Sequence, residues 1–334
     1  MTEWTLAGAP DLRGRMAVVT GANTGVGYET ARLLAGRGAA VVLACRDLDK
    51  AQHAADRIRG ETPDARVGLV HLNLASLASV RQAAADVRSG HQRIDLLVNN
   101  AGVMRTPNRR TEDGFELQLG TNHLGHFALT GLLLDLLLAV PGSRIVTVTS
   151  PAHRQGKIDI GHQPDEPSQA EHVQAGQLTS PQRYRAGAAY ARSKLANLLF
   201  AYELQRRLTA AGAQTLSLAA HPGGSRTELN RHMPAWTLAR GRWWGVWRPI
   251  THSAQHGALS VVRAATDPDA AGGDYYRPDG FLEFTGSPAR GESSARSHDP
   301  DTQRRLWAES QQLTGVSYDF APTTWPERGS RERA

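Results

Sequence analysis

Tyr190 and Lys194 stand four positions apart in AYARSKLANLLF, residues 189–200, a stretch whose apolar spacing predicts a helix. On a helix the two side chains share one face, one turn apart. The pairing matters because Lys50, Lys157 and Lys194 are the only lysines, whereas 35 of the 38 basic residues are arginine. A phenol with an ordinary pKa of about 10 carries protons poorly at neutral pH, and a nearby ammonium favours the phenolate. Together the two groups suit proton transfer to or from a substrate oxygen. The competing reading is an ordinary i,i+4 pair on a helix surface.

A second group with chemical meaning is TGANTGVG, residues 20–27. Gly21, Gly25 and Gly27, with Asn23, Thr24 and Val26 between them, follow the apolar run MAVVT (16–20) and open a helix-like stretch. Glycine there permits positive φ and close approach of a pyrophosphate, and a helix N-terminus offers unpaired N–H groups. Three glycines alone would be weak evidence; their place between a first strand and a first helix makes them a dinucleotide site. At the end of the second strand, LACRD places Cys45 where an acid would bind a ribose 2′-OH, followed by Arg46, whose guanidinium suits a 2′-phosphate. NADP is therefore favoured over NAD, with Arg46 pairing only with Asp47, or capping a helix, as the alternative.

The elements that must position these groups alternate. Short β-rich runs at 16–20, 39–45, 66–72, 94–99, 144–149 and 214–220 are separated by helical patterns at 27–37, 47–60, 76–89, 115–139 and 188–211, and a short DYY strand follows residue 272. Repeated βα units predict an α/β fold: one doubly wound Rossmann-type domain, its mostly parallel sheet flanked by helices on both faces. That domain spans 1–285 with two insertions, 151–187 and 230–250, the second carrying four of the seven tryptophans. A C-terminal extension, 286–334, contains one helix near 300–314 and a frayed Pro/Arg-rich end.

Composition narrows the class. The chain has 334 residues and a net charge of +6, but its arginines are scattered, without the runs or aromatic interleaving of a nucleic-acid surface. A single cysteine permits no intrachain disulfide. There is no N-terminal apolar segment of signal type and no apolar run of about 18 residues, so the reading is a soluble cytoplasmic protein without a transmembrane span. His123 and His126, three apart with no carboxylate or cysteine beside them, are given structural or surface roles, and no metal site is assigned.

TGANTGVG, NNAG (99–102), TNHLGHF (121–127), RIVTVTS (144–150), YARSK (190–194) and HPGGSRT (221–227), in that order, resemble the short-chain dehydrogenase/reductases over about residues 14–285. GANTGVGYETA, VVLACRD, LGHF and the long interval from Ser150 to Tyr190 are most similar to the retinol dehydrogenase-like and protochlorophyllide reductase-like branch. The resemblance implies that Asn122, Ser150, Tyr190 and Lys194 are catalytic. Tyr190 exchanges the proton, Lys194 also bonds the nicotinamide ribose, Ser150 holds the substrate oxygen, and Asn122 bonds backbone and a water that links Lys194 to solvent. It places Asn100, Ala101 and Gly102 along the adenosine side of the cofactor, and Pro222, Gly223 and Thr227 at the nicotinamide carboxamide. Asn73, followed by Leu74, stands where the family commonly has an aspartate against the adenine amino group; its carbonyl can accept the same bond. The implied activity is hydride transfer between NADP(H) and a carbonyl/alcohol pair. Reduction of a polarised carbon–carbon double bond, or NADP sensing without turnover, are the alternatives. Trp236, Trp243, Trp244 and Trp247, in the region that covers substrate in the family, suggest a lid over a bulky lipophilic molecule. Packing at an edge or subunit contact, or peripheral membrane contact, are the other uses of such a segment. Oligomeric state is left open.

Overall fold

The computed structural model describes residues 4–158, 184–224 and 253–321. Within these, eight strands form one sheet in the order β3-β2-β1-β4-β5-β6-β7-β8. They are β1 Met16–Thr20, β2 Ala40–Cys45, β3 Val67–His71, β4 Leu96–Asn99, β5 Arg144–Val148, β6 Leu216–Ala220, β7 Tyr275–Pro278 and β8 Pro288–Gly291. All neighbours are parallel except β7 and β8. The six strands expected from the βα alternation are present, each within two residues of its predicted bounds, and the short DYY strand expected after 272 is β7.

Helices cover both faces, as crossover connections between parallel strands require. They are α1 Gly25–Gly36, α2 Leu48–Glu61, α3 Leu77–Gly90, α4 (Leu117–Leu119, a π-helical turn Gly120–Leu124, then Gly125–Leu132), α5 Leu134–Leu138, α6 Ala186–Ala210, α7 Ala254–Thr266 and α8 Pro300–Thr314. The alternation within β1 decides which face each side chain serves. Ala17 and Val19 join the core under α1, α2 and α7, whereas Met16 and Val18 join the core under α3, α4 and α8. A strand buried on both faces reads as a continuous apolar run, which is how MAVVT reads.

The single helix expected over 115–139 is instead broken. Gly120 and Gly125 lie against neighbouring chain so closely that a Cβ would come within 2.4 Å of Thr111 Cγ2 and 2.5 Å of the Leu74 carbonyl. The π-turn widens the helix between them and carries Asn122, and the run breaks again at Leu133 before α5. The segment after residue 285 contributes a strand the sequence did not signal. PARG lacks an apolar pattern and becomes β8 only by pairing with β7. Asp299 caps α8, Gly315 ends it with φ +64°, and Trp307, 2 % exposed, packs edge-on against Phe127 at 5.1 Å. The chain beyond 285 is thus tied to the sheet and core through residue 321. Most of the two expected insertions, and the last 13 residues, lie outside the described residues. Among the described residues no helix is long and apolar enough to cross a membrane.

Candidate active site

The order of strands reverses between β1 and β4, and a crevice opens there at their carboxyl ends, where doubly wound sheets bind ligands. Gly21, Asn23, Thr24, Gly25, Val26, Gly27, Arg46, Asn73, Leu74, Asn100, Ala101 and Gly102 all line it. Two glycines are dictated by contact. A Cβ on Gly21, at φ +64°, would meet Ala101 Cβ at 2.9 Å, and one on Gly27 would lie 2.3 Å from Asn100 Nδ2 and 2.4 Å from the Gly21 carbonyl. Thr24 leaves the first turn of α1 without a side-chain cap, so its N–H groups face the crevice. The Thr121 hydroxyl, also lining the crevice, is buried with no protein partner among the described residues. These features fit a dinucleotide's pyrophosphate against the turn.

Thr20, which the sequence did not single out, organises this turn. Its Oγ1 accepts from the N–H groups of Asn100 and Ala101, both at 2.9 Å, and lies 2.9 Å from His126 Nε2. His126 Nδ1 is 3.0 Å from the Asn122 carbonyl, which can only accept. The imidazole therefore carries its proton on Nδ1, and Thr20 donates to Nε2, so one hydroxyl uses all its bonding capacity. Burial holds His126 near pKa 4 and therefore neutral. The signal for this pair was LGHF, where the histidine is given only a structural or surface role.

At the outer end of β2, Arg46 is exposed on the crevice rim, and Lys50, missed in the sequence, joins it. Asp47 instead caps α2, accepting from Lys50 N–H at 3.0 Å and meeting Lys50 Nζ at 3.3 Å. Asn73 Oδ1 accepts from Ala75 N–H at 3.1 Å and its Nδ2 donates to Glu112, so one carbonyl lone pair remains for a ligand.

Ser150, Tyr190, Lys194 and Asn122 meet at the carboxyl end of β5. The Ser150 side chain hydrogen-bonds the Tyr190 phenol. Lys194 Nζ donates to the Val148 carbonyl at 3.0 Å and lies 5.8 Å from the centre of the Tyr190 ring. Asn122 clamps the Val103 backbone, accepting its N–H at 2.7 Å and donating to its carbonyl at 3.0 Å; its amide also reaches Ser193 at 2.9 Å. Gly102 lies between, where a Cβ would fall 3.1 Å from Asn122 Oδ1 and 3.7 Å from Lys194 Nζ.

Burial dominates the electrostatics. It pushes the Tyr190 phenol up, with the Ser150 bond pulling it back, and pushes Lys194 down to about 8. The sequence suggested that Lys194 would lower the phenol, but both groups lie in a desolvated pocket and the ammonium's direct bond is to Val148. Pro222 and Gly223 follow β6 at the same edge, Gly223 at φ +68°. Thr227 and the four clustered tryptophans lie outside the described residues.

A family model described as short chain dehydrogenase matches residues 15–161. Human retinol dehydrogenase 13 is 42% identical over 310 residues, covering 91% of this chain and 85% of the relative. Polyprenol dehydrogenase from Mus musculus is 42% identical over 313 residues, covering 92% and 86%. A crystal structure of a protein from Mycobacterium paratuberculosis superposes with TM-score 0.74 at 39% identity, covering 95% of this chain and 100% of that one. A dehydrogenase from Beutenbergia cavernae with bound NADP superposes with TM-score 0.60 at 25% identity, covering 79% and 95%. With relatives this similar across nine-tenths of its length, the chain belongs to the short-chain dehydrogenase/reductase family, next to the retinol dehydrogenases, and is an NAD(P)-dependent oxidoreductase.

Proposed function

We propose that this enzyme uses NADP(H) to interconvert a lipophilic carbonyl compound and its alcohol. The observation that carries this reading is the meeting of Ser150, Tyr190 and Lys194 beside a dinucleotide crevice rimmed by Arg46. When bound, the nicotinamide supplies or accepts the hydride. Tyr190, its phenol kept protonated by burial across the neutral range, gives its proton to the substrate oxygen in the reductive direction. Ser150 bonds the same oxygen and orients it toward the phenol. Lys194 holds the nicotinamide ribose and returns a proton to Tyr190, and the Asn122 clamp on Val103 fixes the wall of the crevice beside Gly102. Gly21–Gly27 and the α1 N-terminus hold the pyrophosphate, and Asn73, Leu74 and Asn100–Gly102 hold the adenosine half. Pro222, Gly223 and Thr227 receive the carboxamide.

The lipophilic substrate class is supported by the names of the retinol and polyprenol dehydrogenase relatives and by the tryptophan content of 233–250. The deciding experiment follows NADPH oxidation with retinal, decanal and benzaldehyde and identifies the product. Alcohol formation with kcat/KM higher for retinal and decanal is expected. A saturated carbonyl product, or equal kcat/KM for all three, rejects the reading.

Cofactor choice has its own test. Arg46→Asp replaces a charge-assisted bond to the 2′-phosphate by repulsion, so KM for NADPH should rise by about 10²-fold, and KM for NADH by less than about threefold. An equal rise for both would mean that Arg46 only shapes the loop.

A further inference from the structure

Glu283 ends the short 3₁₀ turn Phe281–Glu283 between β7 and β8. Leu282 and Glu283 are consecutive non-glycine residues at φ +48° and +62°. Left-handed backbone of this kind persists where the surroundings over-determine it. Three contacts converge on this one carboxylate. Its Oε1 lies 2.7 Å from Arg154 Nη2 and 3.3 Å from Arg277 Nε, and its Oε2 lies 3.2 Å from His221 Nε2.

The His221 branch has a defined direction. His221 follows β6 and is fully buried, and its Nδ1 accepts the Gly223 N–H at 2.9 Å. The ring proton must then sit on Nε2, from which it is donated to Glu283. Carboxylate, imidazole and backbone amide form one chain that ends on the Pro222–Gly223 turn. A backbone bond from Gly224 N–H to the Phe284 carbonyl, 2.9 Å, ties the two loops a second time. The Arg154 branch ends elsewhere. Arg154 lies in the turn Pro151–Gln155, which Ser150 caps by accepting the Ala152 N–H at 3.3 Å. In the same turn His153 Nδ1 donates to the Ser150 carbonyl at 2.7 Å, while its Nε2 accepts the Ser294 N–H at 3.1 Å.

We propose that Glu283 is a positioning residue of the reaction: its carboxylate fixes the nicotinamide-receiving turn through His221 and the Ser150 turn through Arg154, holding the nicotinamide and the substrate carbonyl in register for hydride transfer to the carbonyl carbon. The role rests on the reading of Pro222–Gly223 as the turn that meets the nicotinamide. It acts on the nicotinamide half of the ligand and leaves the adenosine half alone, because no residue in either branch lines the Gly21–Arg46 part of the crevice.

Two full-length variants test it. Glu283→Gly removes the carboxylate and relieves the left-handed backbone, so the turn itself is not strained by the change. Glu283→Gln keeps size and shape while removing the charge. Each is titrated with 2′,5′-ADP, which carries the adenosine half only, and with NADPH, whose reduced nicotinamide fluoresces. In Glu283→Gly, 2′,5′-ADP affinity should stay within about twofold of wild type, while NADPH affinity and kcat each fall about tenfold or more, as expected for ångström-scale misplacement of a reacting group. The nicotinamide emission of bound NADPH should revert toward that of the free cofactor. Glu283→Gln should fall between wild type and Glu283→Gly, and it supplies the same comparison if Glu283→Gly does not fold. Equal weakening of both ligands would mean a general loosening of the fold, and unchanged NADPH affinity, emission and kcat would mean an ornamental ion pair; either overturns the proposal. A wild-type chain that binds neither ligand rejects the cofactor reading itself, a result distinct from any difference between variants.

Discussion

Tyr190→Phe should lower kcat by about 10²–10⁴-fold, the range that a positioned proton donor contributes, while NADPH affinity stays within about twofold. The substitution removes one oxygen and leaves the ring, on a residue of α6 that is 8 % exposed, in place. Among the described residues nothing else in the pocket can take over. Ser150 is too weak an acid, and the Lys194 ammonium is held by the Val148 carbonyl at 3.0 Å. Lys194→Arg is the companion change. Lys194 is buried, and a planar guanidinium is too large to keep both the Val148 bond and the proposed ribose contact. It should therefore also lose most turnover, and unlike Tyr190→Phe it should weaken NADPH. Single-turnover reduction, which isolates chemistry from product release, is the measurement. Tyr190→Phe turning over within about threefold of wild type would remove the phenol from the mechanism.

Acidification should destabilise the fold well before its carboxylates titrate. His123 and His126, 1 % and 2 % exposed, are pushed by burial to about 3 and about 4, from an unfolded value of 6.5. Both are neutral in the folded protein above pH 5, but the unfolded chain takes up their protons as pH falls below 6.5. Stability is thus fully present well above 6.5 and is lost as pH falls from 6.5 to about 4 for His126 and about 3 for His123, at about 2 kcal/mol per histidine by pH 5, or about 4 kcal/mol together. His153, also pushed down by burial, adds in the same direction. Lys194 has the same sign in a higher window. Its depressed value costs stability at neutral pH, and that cost is relieved as pH rises from about 8 toward 10.5. Urea unfolding at pH 7.5 and 5.0 measures the difference. His123→Leu, which fits among Phe127 and Phe200, should flatten the dependence by about 2 kcal/mol over that interval. A change below about 1 kcal/mol in the wild type would mean that the histidines are charged in the fold.

The sequence by itself determined the alternation of strands and helices, because a parallel strand buried on both faces must be apolar throughout, and a helix covering one face must be amphipathic. It also determined the glycine turn and the Tyr190–Lys194 pair, since both lie within one turn of local chain. What joins residues distant in sequence was decided by the tertiary structure. Thr20 looked like the last residue of a strand, yet its hydroxyl gathers Asn100, Ala101 and His126 because β1 and β4 are neighbours. PARG has no strand pattern and becomes β8 through its pairing with β7. The helix expected over 115–139 is broken where Leu74 and Thr111 come too close for any side chain at Gly125 and Gly120. Glu283 carries no local motif. Its convergence with His221, Arg154 and Arg277 depends on three segments meeting at one sheet edge, and propensity and periodicity carry no information about such meetings. Lys194 shows both levels at once: its spacing from Tyr190 is written in the helix, but its depressed pKa is a property of the pocket that closes around it.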